Sequence, residues 1–171
     1  MAMGGNNSGQ VQSQPAVDAV IIGAGLGGLY AHYRLRQLGL SLRGFEAGPE
    51  VGGTWWWNGY PGARCDVESL EYTYSFSDEL LAEWQWTERF ATQPEILRYV
   101  NHVADRFDLR RDIEFNTAIV SGSFDEAANC WTLETSGGER VTARFLITAV
   151  GCLSARILPD VPGLEDFAGR W

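Results

Sequence analysis

The spacing of apolar and polar residues changes several times along this 171-residue chain, and each change marks an element. Val17-Asp18-Ala19-Val20-Ile21-Ile22 is a short, mostly β-branched run, the pattern of a strand buried in a parallel sheet. Glycines follow at 23, 25, 27 and 28. Leu29, Tyr30, Tyr33 and Leu38 then recur at roughly helical spacing up to Gly39, which stands where a helix-ending glycine belongs. Residues 42–46 predict a second short strand, so the segment is a βαβ unit. Over 47–69 no period survives; glycines, two prolines and Trp55-Trp56-Trp57 predict a long structured loop, a kind that usually carries function. Over 94–107 a helical period returns. Ile96, Leu97, Val100, Val103, Ala104 and Phe107 share one face, and Thr92 or Gln93 precedes a favourable first-turn Pro94. From Ile113 the pattern is that of strands. Residues 118–124 and 130–135 read as hairpin partners. In 141–150 the end at 145–150 is apolar on both faces and predicts a return to the buried sheet. Residues 1–16 read as a disordered lead, and Pro159, Pro162 and Gly163 mark an exit loop.

Composition narrows the function classes. A net charge of −9 argues against a general nucleic-acid binder and against docking on anionic lipid. No apolar run approaches the ~20 residues of a membrane span, and the first residues lack the form of a signal peptide. Cys65, Cys130 and Cys152 are odd in number and widely spaced, which suggests neither a disulfide framework nor a metal site, and a cytoplasmic protein is expected. His32 and His102 fall on predicted helices as surface or packing residues. Asp78, Glu79, Glu83 and Glu88 read as a solvated face.

The candidate chemistry starts at Gly23-Ala24-Gly25-Leu26-Gly27-Gly28. Gly23 permits a tight turn, Gly25 allows a pyrophosphate to approach the backbone, and Gly28 lets helix and strand pack closely. The helix N-terminus then offers N–H groups and a positive dipole end to phosphates. Glu46, at the end of the next strand and about 20 residues on, suits a carboxylate that accepts hydrogen bonds from ribose hydroxyls. A carboxylate there disfavours a 2′-phosphate, so this turn is expected to hold FAD or NAD and not NADP. FAD is favoured because Gly52-Gly53-Thr54 follows the carboxylate, as in flavoproteins with two dinucleotide domains.

The run from Gly52 to Ser69 (Gly-Gly-Thr-Trp-Trp-Trp-Asn-Gly-Tyr-Pro-Gly-Ala-Arg-Cys-Asp-Val-Glu-Ser) resembles the signature loop of Baeyer–Villiger monooxygenases. The likeness continues through Glu71-Tyr72, Tyr74 to Ser77, Glu83-Trp84 and Gln93 to Leu97, and again at Val150-Gly151-Cys152-Leu153-Ser154. Gly59 departs from it, since the family usually has Arg at that position. Disulfide reductases share the glycine turn, but Trp55 to Trp57 stand where their redox cysteine pair belongs.

The resemblance implies an α/β fold: a Rossmann-type FAD-binding domain with a small antiparallel meander, residues 17–171 being its N-terminal part. It implies FAD and NADP as cofactors, and a ketone and O2 as substrates that yield an ester or lactone. Thr54, Trp55, Trp56 and Trp57 would contact FAD, with Trp55 also near the nicotinamide. Asp66, expected to be buried and to need a cationic partner, would sit beside the flavin and position a catalytic arginine. Arg64, Cys65 and Asp66 would approach NADP, while Val67, Tyr72 and Ile119 would help line the FAD site. Phe167 to Trp171 resembles the opening of a longer family fingerprint, so the remainder of a parent enzyme is the expected partner. An N- or S-oxygenating flavin monooxygenase and a non-catalytic FAD-binding fragment are the rival readings.

Overall fold

The computed structural model describes residues 15–154 and 157–169. The opening β-branched run forms strand β1 (Val17–Ile22), helix α1 (Leu26–Gln37) follows, and β2 (Leu42–Phe45) returns parallel to β1. Gly39 terminates the helix at φ +75°, a backbone that a residue without Cβ adopts freely.

The stretch after β2 is less uniform than its sequence predicts. Within it α2 (Thr54–Trp57) is one helical turn, and α3 (Asp78–Glu83) follows further on. Ser77 starts α3 by accepting the Leu80 N–H at 3.2 Å, with Asp78 and Glu79 at its positive end. Helix α4 (Gln93–Arg106) runs as expected, with Thr92 before it and Pro94 in its first turn. Its buried face is broader than the predicted stripe and includes Glu95 and Tyr99, because residues from several segments pack on it. A 3₁₀ turn (Arg110–Asp112) leads to β3 (Ile113–Glu114), which adds parallel to β2.

The meander is part of the main sheet. β4 (Ile119–Asp125) and β5 (Cys130–Thr135) form the expected hairpin. β6 (Arg140–Thr148) pairs antiparallel with β5 up to Ala143, then parallel with β1 from Ala143 to Thr148. One sheet of order β3-β2-β1-β6-β5-β4 results. The expected return of the 145–150 segment is met through Thr148, yet Phe145 is 49% exposed, so this part of the strand is not covered on both faces.

Two apolar cores hold the layers. Leu29, Leu80, Ile96, Tyr99, Val100 and Val103 join the helices to one another. Leu133, Val141 and Ala143 of the meander cluster with Val20 and Phe45 of the parallel strands. Among the described residues no helix is long and apolar enough to cross a membrane.

Candidate functional site

Gly23 stands where three strands end. Its N–H donates to the Phe45 carbonyl at 2.8 Å, its φ is +101°, and a Cβ there would lie 2.5 Å from the Ala149 carbonyl oxygen. A Cβ at Gly28 would overlap the carbonyl oxygen of Gly23, so close packing of helix on turn is the role Gly28 plays. Helix α1 begins after Gly25 with no side-chain cap and no acidic residue in its first turn. An uncapped N-terminus of this kind offers backbone donors and a positive dipole end to a phosphate. Gly53, at φ +54°, packs against Gly25, and a Cβ on it would come within 2.9 Å of the Gly25 Cα. The two glycine turns therefore touch backbone to backbone.

Glu46 lies just past β2, 6% exposed. Its Oε2 accepts the Ala24 N–H and its Oε1 the Gly48 N–H, each at 2.7 Å. A carboxylate has about four lone-pair sites, so Glu46 fixes the turn and retains capacity for ribose hydroxyls. Thr117 donates its N–H to the Glu46 carbonyl at 2.9 Å, which brings the start of β4, with Ile119, to this end of the sheet.

The tryptophans divide by environment. Trp55 is 9% exposed and donates its Nε1–H to the Tyr72 hydroxyl at 2.8 Å. Burial pushes the Tyr72 phenol up from its ordinary pKa, which keeps it neutral. Gln93 donates from Nε2 to the Trp55 carbonyl at 2.5 Å; its polar atom at a helix start signals nothing of this in sequence. Trp56 lies against Gly52, while Trp57 is 61% exposed with its ring beside Gly48.

The 63–69 stretch is laced to residues 88–93. Cys65 is buried in the helical core and donates its N–H to the Ala91 carbonyl at 3.0 Å, a packing role and not that of a nucleophile. Arg64 pairs with Glu88 at 2.6 Å. Asp66, expected to be buried beside a cationic partner, is exposed in this chain and joins no ion pair among the described residues, while its neighbour Cys65 packs inward. Val67 is likewise 38% exposed. No group of residues that could hold a metal occurs among the described residues.

His32 and His102 part company. His32 is fully buried between α1 and β2, whereas His102 lies 3.4 Å from Glu83 near the surface.

A model of an NAD(P)-binding Rossmann-like domain matches residues 21–77. A Baeyer–Villiger monooxygenase of Pseudooceanicola batsensis is 51% identical over 154 residues, which are 90% of this chain and 28% of the relative. A steroid monooxygenase bound to NADP superposes with a TM-score of 0.83 at 57% identity, over 87% of this chain and 29% of that one. The chain is homologous to Baeyer–Villiger monooxygenases. The structure of OTEMO in complex with FAD and NADP has a TM-score of 0.83 at 47% identity over 90% of this chain and 29% of that one. A phenazine N-monooxygenase of Lysobacter antibioticus is 49% identical over 90% of this chain and 28% of its own length. The chain thus spans about 28% of the length of these curated relatives. Its similarity extends to an enzyme named for nitrogen oxygenation as well as to Baeyer–Villiger monooxygenases.

Proposed function

We propose that residues 17–171 are the N-terminal part of the FAD-binding domain of an FAD- and NADPH-dependent Baeyer–Villiger monooxygenase. The enzyme would insert one oxygen of O2 beside a ketone carbonyl to give an ester or lactone. The observation that carries this is the joined pair of glycine turns, with Gly25 against Gly53 and Glu46 clamped beneath them. The open α1 N-terminus fits a pyrophosphate and Glu46 a ribose diol, so Gly23 to Gly28 and Glu46 take the dinucleotide end of FAD. Thr54 to Trp57 extend from the second turn toward the flavin end, with Tyr72 fixing Trp55 and Val67 and Ile119 as further lining. Arg64, Cys65 and Asp66 form the stretch that approaches NADP, and Asp66 orients an arginine supplied by the rest of the protein. FAD, once reduced by NADPH, supplies the oxygen chemistry; the chain binds and orients it. Neither nucleic acid nor membrane is a partner in this reading. The free cysteines fit a cytoplasmic location.

The test is product analysis with the full-length enzyme, NADPH and a panel of ketones, amines and sulfides. Ester or lactone is the expected product, and N- or S-oxide without ester would overturn the proposal. The 49% identity to a phenazine N-monooxygenase makes nitrogen oxygenation the second reading, and the same assay decides between them. The 171 residues alone are expected to give no NADPH-dependent oxygenation.

A further inference from the structure

His32 has no solvent exposure. Its Nδ1 lies 2.9 Å from the Gly28 carbonyl oxygen, and a carbonyl can only accept, so the ring carries its proton on Nδ1. Nε2 has no hydrogen-bond partner. It abuts β2 at Gly44, where any Cβ would overlap Nε2 and Cε1. One neutral imidazole therefore spans from Gly28, the last glycine of the phosphate turn, to Gly44, two residues before Glu46. Glu46 accepts the Ala24 N–H at 2.7 Å across the same α1–β2 junction.

Protonation would place a charge and an N–H on Nε2, a buried ring atom that makes no hydrogen bond in the neutral form and is pressed against Gly44. The charged groups facing the ring are Arg36 on its own helix and Asp112 from the 3₁₀ turn, and these two are paired with each other. Gly44 and Ile113, on the strand side, bring no charge. Burial dominates and holds the imidazole below its ordinary value of 6.5, against the raising effects of the Gly28 carbonyl and of Asp112, whose carboxylate and backbone both favour the charged ring.

We propose that His32 is a positioning residue for the dinucleotide turn: neutral, it sets the spacing of α1 and β2, and protonated, it forces them apart and releases the cofactor. This rests on the reading that Gly23 to Gly28 and Glu46 hold a dinucleotide. A group whose pKa is lowered in the closed state leaves closure intact above the ordinary histidine value and weakens it as pH falls below that value.

The test is FAD affinity of the full-length protein, by flavin fluorescence, from about pH 8 to about pH 5.5. Wild type is expected to weaken roughly tenfold across that range. His32→Gln, which keeps an N–H for the Gly28 carbonyl and does not titrate, is expected to stay nearly flat. A His32→Gln profile that follows wild type, or a flat wild type, would overturn the proposal. Failure of wild type to bind FAD at the upper pH would instead sink the cofactor reading beneath it. Should His32→Gln not fold, hydrogen exchange in wild type decides. Peptides spanning 24–32 and 42–48 should lose protection together at acid pH, after correction for intrinsic rates. Unchanged relative protection would refute the spacer role.

Discussion

At the scale of single residues, the glycines separate into those needed for space and those needed for backbone conformation. Gly28 is of the first kind, with a backbone carbonyl where its Cβ would be; Gly39 is of the second, with nothing within 4 Å of that point. Gly28→Ala is expected to cost ~1–3 kcal/mol by overpacking, and also to weaken flavin binding, because the turn must move. Gly39→Ala is expected to cost about 1–2 kcal/mol through its positive φ alone and to leave flavin affinity unchanged. Urea denaturation and flavin titration of the full-length protein read the two effects separately. Equal loss of flavin affinity in both variants would contradict the division. The sequence showed that these glycines matter, but which constraint binds each one depends on chain segments far away, such as Ala149 above Gly23. Glu46 shows the same dependence on distant segments. Its position suggested ribose, while its clamp on Ala24 and Gly48 exists only once loop and turn are folded together.

At the scale of elements, α4 anchors the site through polar atoms on an apolar face. Glu95 is 3% exposed and accepts both the N–H and the hydroxyl of Thr87 at 2.9 Å. This fastens the segment 84–90 to the helix, and that segment in turn holds Arg64 and Ser69. Glu95→Ala leaves a backbone N–H without its acceptor and is expected to cost ~1–3 kcal/mol. It should also open residues 84–90 to limited proteolysis, with cleavage mapped by mass spectrometry. Cleavage no faster than in wild type would show that the strap is held elsewhere. The helix itself was legible, since its apolar period, Thr92 and Pro94 are local signals. The burial of Glu95 and Tyr99 was not, because it reflects partners that come from other segments.

For the whole molecule, the decisive feature is a single sheet that the meander extends and does not leave. β6 manages this by changing partners at Ala143, and past that point, while Leu146 packs inward, other apolar side chains are exposed: Phe145 49%, Val150 53% and Leu153 69%. An exposed group of apolar side chains favours association. Phe145→Ser is expected to reduce concentration-dependent self-association of the 171-residue chain in sedimentation velocity, and to change its unfolding free energy by about 1 kcal/mol or less. Undiminished association would place the sticky surface elsewhere, for instance on edge strand β4 with Val120 and Phe124.

The sequence by itself determined the βαβ unit, the hairpin, the α4 helix and the identity of the two glycine turns. Each is encoded in spacing over a few residues, and the Gly52–Ser69 run was distinctive enough to point to a family. Only the tertiary structure decided that the two glycine turns touch, that Asp66 faces outward, that His32 wedges between Gly28 and Gly44, and that β6 joins both parts of the sheet. The physical reason is common to all four. Spacing reports which side of an element is apolar, whereas steric contact and burial depend on which distant segment arrives on that side.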